Sequence, residues 1–418
     1  MELTRIANLP ADKRIDAYKA RVTEALEAAR PQQVKEIISF ITSHEMAHDS
    51  ERYWVIPNTL AFIVEYTEDK AGNLKNNIDL DDVPDVVRTL LKAAKECQKQ
   101  DEDMALNNVI IGATALLSEA LNGLEQPVDA AEVRLGISPA VFPSSLDYIK
   151  FALPACTIFE RGNVPSLLPY ASSVVKAVNT YEKEMIEKEG AHVVDVDPLL
   201  LSASAALAAV DVHAGAYLDA ASKLVRVGQY TNEQLEKAQL TPDDAQASLA
   251  KGLAYLCVCR RVPIREALLA KCCEDPRLLQ HPLYSFANKI RNEQLIRKVD
   301  VEEAKATSLL PSNVLDTTSS SISTFEMNVL EHNLNIYSQK VDSLSLSDLQ
   351  VMSGLPSQTL DEAISSLCFT RRIAGSLNQK KNVLNFFKDE DSQGNVSPAM
   401  AFWNKKFAAL CDQVTSNE

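Results

Sequence analysis

Aromatic side chains account for only 6% of this 418-residue chain, and glycines number just 12. Both shortages argue against a sheet-rich fold, whose strands favour aromatic and β-branched residues and whose tight turns favour glycine. With alanine and leucine abundant, the balance tips to helix. Long apolar runs are missing as well. The longest weakly polar stretches, Val109–Leu117 and Leu199–Val210, fall well short of the ~18 residues a membrane-spanning helix needs, so no membrane partner is expected. The opening residues, MELTRIANLPADKR, hold no apolar core of the length a secretory signal requires. Eight cysteines without such a signal read as reduced thiols, which points to the cytoplasm and nucleus. An excess of cations is also lacking: 42 Lys and Arg face 57 Asp and Glu, for a formal net charge of −15. Nucleic-acid affinity rests largely on phosphate neutralisation, so no nucleic-acid partner is expected.

What the chain does contain is helix after helix. The periodicity predicts helices over Lys13–Ala29, Gln32–Ala47, Glu51–Thr67, Val83–Gln100, Asp103–Leu121, Ser144–Phe159, Val164–Lys188, Leu199–Val210 and Ala214–Arg226. Pro31 sits where one helix ends and the next begins, and Asp49-Ser50 and Asp81-Asp82 offer N-caps. Asp69–Asp79 and Asn122–Pro127 read as polar loops. No strict repeat consensus is present. Consecutive short helices with short connectors nevertheless predict antiparallel pairs stacked as an irregular solenoid of the TPR or HEAT kind, over residues 1–240. Further helices follow at Pro242–Cys259, Pro263–Cys273, His281–Ile290 and Val299–Ser308, then a Ser/Thr-rich linker, Leu309–Ser321, so that residues 241–321 form a second helical part.

Residues 322–388 read differently. Ile322–Val341 carries Phe325, Val329, Leu330, Leu334, Ile336 and Tyr337 mostly at spacings of three and four, which makes one apolar helical face. An alternating Leu344-Ser345-Leu346 follows, then a short helix Asp348–Met352 capped by Ser347 and Asp348 and stopped by Gly354. A second helix, Gln358 to Arg372, turns Leu360, Ile364 and Leu367 inward and places two arginines in its last turn. Two strands, Ile373–Leu377 and Val383–Phe387, are joined by Asn378–Asn382. Helix, strand, helix, helix, strand, wing, strand is a winged-helix order. After a charged loop, Ser397-Pro398 opens a last amphipathic helix, Ala399–Val414, within residues 396–418.

Several motifs invite chemical readings. His44-Glu45-Met46-Ala47-His48 matches H-E-x-x-H, in which two imidazoles on one helix face bind zinc and the glutamate serves as base. A zinc metalloprotease using His44, Glu45 and His48 is therefore the enzyme alternative. The match falls in the last turn of its helix with no further ligand motif after it, so a solvent-exposed helix end is the plainer reading. Cys257, Cys259, Cys272 and Cys273 lack C-x-x-C spacing and read as buried structural thiols. No G-x-S-x-G and no phosphate-binding glycine loop is present, and no cofactor is expected. A winged helix also raises DNA binding. The first half of the candidate recognition helix, however, carries Asp361 and Glu362 and no cation. Across 344–387 Arg371, Arg372, Lys380 and Lys381 are nearly matched by Asp348, Asp361 and Glu362, so contacts with protein are favoured.

A helical solenoid running into a winged helix resembles the PCI family, shared by the proteasome lid, the signalosome and a translation-initiation scaffold. The likeness is carried by LSLSDLQVMSGLP (Leu344–Pro356), LDEAISSL (Leu360–Leu367), RIAGSL and VLNFF. Ala267–Arg297, Asn328–Val341 and Phe402–Val414 are similar to the signalosome branch, the last through Trp403, Lys405, Leu410, Cys411, Gln413 and Val414. The H-E-x-x-H match lies outside the family pattern. The resemblance implies a mainly α, non-catalytic scaffold among other PCI and MPN subunits of a complex that removes Nedd8 from cullin-RING ligases. The zinc isopeptidase, of the JAMM type, would belong to a different subunit. A proteasome-lid scaffold is the alternative within the family. Family members join through winged-helix edges and bundled C-terminal helices. That places the expected interface at Leu344, Leu346, Val383, Leu384 and Phe386, and at Trp403, Phe407, Leu410 and Val414 on the tail.

Overall fold

A computed structural model describes residues 2–47, 51–72, 82–101, 105–317 and 321–387. The chain forms two units, Met1–Ala216 with Thr231–Leu240, and Tyr217–Tyr230 with the chain from Thr241 onward.

The first unit is helical throughout: α1 (Glu2–Ile6), α2 (Ala11–Glu27), α3 (Pro31–Glu45), α4 (Arg52–Gly72), α5 (Val83–Gln100), α6 (Asn107–Gly123), α7 (Pro127–Leu135), α8 (Ser145–Ala152), α9 (Ile158–Arg161), α10 (Leu168–Glu189) and α11 (Pro198–His213). Helix α2 packs on α3 and α4, α3 also packs on α5, and α4 on α6. Helices two apart in sequence are thus neighbours as well as those one apart, the arrangement of a two-layer helical-repeat stack. Each helix earns its place through one buried face. In α5, Val83, Val86, Val87, Leu90, Ala94 and Cys97 recur at spacings of three and four and are buried. Helix α11 is buried around most of its circumference and carries no charge before Asp211, as a central helix must.

Prolines explain most departures from the sequence reading. The expected helix over 144–159 is broken: α8 ends at Ala152 and a 3-10 turn, Leu153–Thr157, intervenes before α9. Pro154 has no N–H to continue the α ladder. In the same way Pro165–Leu167 is a separate 3-10 turn ahead of α10. The expected loop over 122–127 shrinks, because α6 reaches Gly123 and Pro127 opens α7, a helix the periodicity did not reveal. Asp82 occupies the N-cap of α5 but its side chain makes no capping bond; Asp49, Ser50 and Asp81 lie outside the described residues.

The second unit opens with α12 (Tyr217–Gly228); α13 (Asn232–Ala238), also unforeseen, belongs to the first. Then come α14 (Pro242–Val258), α15 (Pro263–Glu274), α16 (Tyr284–Arg291), α17 (Lys298–Ala306), α18 (Ser312–Leu315) and α19 (Thr324–Ser338). Helix α14 starts on a capping box, Thr241 with Asp244, and α19 on another, Ser323 with Glu326. A winged helix completes the unit: β1 (Ser343–Ser345), α20 (Leu346–Ser353), α21 (Ser357–Phe369), β2 (Gly375–Asn378) and β3 (Val383–Phe386). The fold is therefore a helical-repeat array followed by a winged helix. The expected helix 399–414 lies outside the described residues.

Two cores meet along α19. Phe325 and Val329 join the helical core built on Leu249, Leu253, Leu269, Phe286 and Ile290. Leu330 and Leu334 join the winged-helix core of Leu349, Leu360, Ile364, Leu367, Ile373 and Leu384. Leu360, Ile364 and Leu367 point inward as their spacing predicts. Element ends shift by a few residues. Ser345, not Ser347, caps α20, its Oγ accepting from the backbone N–H of Ser347 and Asp348. Gly354, at φ 69°, stops that helix in the left-handed region. Helix α21 ends at Phe369, so Arg371 and Arg372 fall beyond it.

Candidate interaction surface

The sheet is antiparallel, in the order β1-β3-β2. Leu344 of β1 and Leu377 of β2 both lie opposite Leu384 of β3, making a row of three leucines across the sheet. Leu384 is fully buried in the winged-helix core, and the other two pack against that core. The strand order corrects the expected interface. Strand β3 is central, with both backbone edges used, so Val383 and Leu384 offer no free edge. The side chains of Leu346, Leu384 and Phe386 are core, not surface. What the sheet presents instead is the outer backbone of β1 and of β2, each paired on one side only among the described residues. Leu344 is half-buried on one of these edges. Trp403, Phe407, Leu410 and Val414 lie outside the described residues.

Beside the sheet the winged helix exposes two large apolar side chains, Val351 at 84% and Phe369 at 89% of their surface. Sequence periodicity does not single them out: Phe369 closes a helix of which only the inward face, Leu360, Ile364 and Leu367, is marked by spacing, and the helix that carries Val351 is too short for its spacing to define a face. The outward face of α21 otherwise carries Gln358, Glu362, Ser365 and Ser366, with no cation. Glu362 accepts from Ser321 Oγ at 3.0 Å and from Gln358 Nε2 at 3.1 Å. Of the winged helix's basic residues, Arg372 is turned inward: its Nε donates to Glu331 at 3.0 Å and its Nη2 to Asn328 at 2.6 Å. This face repels phosphate and suits protein.

Glu331 belongs to a polar seam along α19 that the sequence did not reveal. Its second oxygen stands 3.4 Å from Arg260, just past the end of α14. Asn328 donates to Val258 O at 2.6 Å, and His332 Nε2 lies 3.0 Å from Gln294 O. Asn333 grips Ile296 twice, accepting from its N–H at 2.9 Å and donating to its carbonyl at 2.8 Å. One helix thus fixes the winged helix to the helices before it through directional bonds as well as apolar contact.

The H-E-x-x-H stretch also differs from its sequence reading. Glu45 is not at a solvent-exposed helix end but fully buried. Arg14 of α2 stands 3.1 Å from one carboxylate oxygen, and Tyr18 donates to the other at 3.2 Å. Burial, then the charge of Glu45, pushes the Tyr18 hydroxyl well above its usual pKa, so it stays a donor. His44 stacks on Phe40 with centroids 5.3 Å apart, and His48 lies outside the described residues. Glu45 ties α3 to α2. The four cysteines are buried as expected. Burial pushes the Cys257 and Cys272 thiols up to about 12 and Cys259 to about 11, so they stay protonated. Among the described residues no group of three or more metal-ligating side chains comes together.

Comparison with known proteins agrees with this geometry. Residues 289–388 match the family model of the PCI domain, a span that runs from α16 to the end of β3. Over 199 residues the chain is 24% identical to COP9 signalosome complex subunit 4 of Drosophila melanogaster, covering 48% of this chain and 46% of that protein. Over 176 residues it is 24% identical to the COP9 signalosome complex subunit 4 of Dictyostelium discoideum, covering 42% of each. The chain therefore spans less than half the length of either relative. Its winged helix, with the helices leading into it, matches the PCI domain, and the chain that carries it is similar to the fourth subunit of the COP9 signalosome.

Proposed function

We propose that this chain is a non-catalytic scaffold subunit of a signalosome-type assembly that removes Nedd8 from cullin-RING ligases. The observation that carries the reading is the shared likeness to two fourth-subunit relatives, with a PCI domain on residues 289–388. Its partners would be other PCI and MPN subunits, the JAMM isopeptidase among them, and neddylated cullin-RING ligases, in the cytoplasm and nucleus. The physical support is a winged helix with two open strand edges and exposed Val351 and Phe369, features suited to adding a partner's strand or helix. Glu45, held by Arg14 and Tyr18, is in no position to act as a base, which speaks against the metalloprotease alternative. The tail helix over 399–414 would add an apolar stripe of Trp403, Phe407 and Leu410 for bundling with other subunits.

Depleting the chain from its own cells is expected to raise the Nedd8-modified fraction of cullins, read on a blot. An unchanged fraction, with the chain gone, would contradict the reading.

A further inference from the structure

A cleft of about 550 Å³ opens in the first unit between the end of α6, helix α7 and the turn that leads into α9. Its volume falls in the range of ~300–1,000 Å³ typical of ligand sites. Apolar walls come from Ala131, Pro154 and Ile158, and the charged groups facing it are Arg134, Arg161 and Glu125. Two cations against one acid is a local reversal in a chain whose net charge is −15.

Arg134 is held rigidly. Its Nε donates to Phe151 O at 2.8 Å, and its guanidinium carbon lies 4.8 Å from the centre of the Phe151 ring. Burial pushes its pKa down, and Glu119 acts in the opposite direction. The Nε bond leaves both terminal nitrogens without a partner among the described residues, and neither is an enclosed orphan atom. Arg161, exposed at the end of α9, likewise has no carboxylate partner among the described residues. A guanidinium fixed through Nε and a ring, with Nη1 and Nη2 free, is a fork shaped for the two oxygens of a carboxylate.

We propose that this cleft binds an acidic peptide segment of a partner protein, one carboxylate seated on the terminal nitrogens of Arg134, a second near Arg161, and apolar neighbours against Ala131, Pro154 and Ile158. The apolar walls and the volume favour a peptide over a bare anion, which would leave most of the space unfilled. Binding here needs no membership in a larger assembly, so its failure would leave the scaffold reading standing.

The test uses the full chain and two dye-labelled octapeptides, one of alternating aspartate and leucine and one of alternating asparagine and leucine, followed by fluorescence anisotropy at physiological salt. The aspartate peptide is expected to bind and the asparagine peptide to bind at least about tenfold more weakly. Arg161→Glu, at an exposed position, is expected to weaken the aspartate peptide about tenfold or more without changing helicity. Arg134→Gln is expected to abolish binding, with circular dichroism checking that α7 survives. Equal binding of the two peptides, or unchanged binding by Arg161→Glu, would overturn the proposal. So would complete displacement of the peptide by millimolar inorganic phosphate, which would mean a small-anion site.

Discussion

Glu331 is nearly fully buried, and both of its oxygens are taken, one by Arg372 and the other by Arg260. A lone buried carboxylate is costly, so the acid is tolerated there because two cations meet it. The relation works in reverse as well. Glu331→Ala leaves the half-buried Arg372 without its carboxylate, keeping only its bond to Asn328, and is expected to cost about 1–3 kcal/mol of stability, read as a lowered urea midpoint. A loss below about 0.5 kcal/mol would mean the seam is idle. His332, one residue on, predicts a pH dependence. Burial first, then Arg265 and Arg261, hold its pKa below the usual 6.5, while the Gln294 carbonyl and Glu266 pull the other way. Above about pH 6.5 the ring is neutral both folded and unfolded, and stability does not depend on it. As the pH falls below that value the unfolded chain takes a proton that the folded chain resists, so stability declines until the folded pKa is reached. Thermal melts between about pH 7.5 and 5 are expected to slope downward, and His332→Gln to flatten the slope. His281, also held down by burial, keeps its own share in that variant. Equal slopes for the two proteins would contradict the assignment.

Among the elements, the crossing of α12 and α14 is set by two glycines. A Cβ on Gly228 would come within 2.6 Å of Leu249 Cβ, and one on Gly252 within 2.9 Å of Val225 Cγ2. Each helix supplies the gap that the other fills. Gly228→Ala is therefore expected to destabilise by about 1–3 kcal/mol, despite the better helix propensity of alanine. A gain in thermal midpoint would show that the helices can part freely. The winged-helix elements were legible in the sequence because each carries its own signal: Phe325, Val329, Leu330 and Leu334, then Leu360, Ile364 and Leu367, at helical spacing, and Gly354 as a stop. Strand order was not, since a four-residue run such as Val383–Phe386 looks the same at the centre of a sheet as at its edge. That is why core residues such as Leu384 and Phe386 were expected at an interface. Glu45 was misread for a related reason. Its partners Arg14 and Tyr18 sit on the preceding helix, and no local pattern announces a contact between helices. Helices α7 and α13 are short, and the turn Leu153–Thr157 depends on one proline, so periodicity over a longer window passed over all three.

At the scale of the whole molecule, the groups that the described residues leave exposed are suited to partners. Among the described residues most thiols are buried, the glutamate of the H-E-x-x-H stretch is internally paired, and the winged helix offers strand edges and bare apolar side chains beside the exposed cations Arg371, Lys380 and Lys381. A chain built this way is suited to be held by neighbours and to hold them. The measurement that tests this most directly is native mass with partner identification, pulling the tagged chain from its own cells at near-physiological salt. The account predicts migration far above the 46.0 kDa of the chain alone, together with other PCI and MPN subunits, a JAMM isopeptidase and cullins. A lone 46.0 kDa monomer, or a particle made of proteasome-lid subunits, would contradict it.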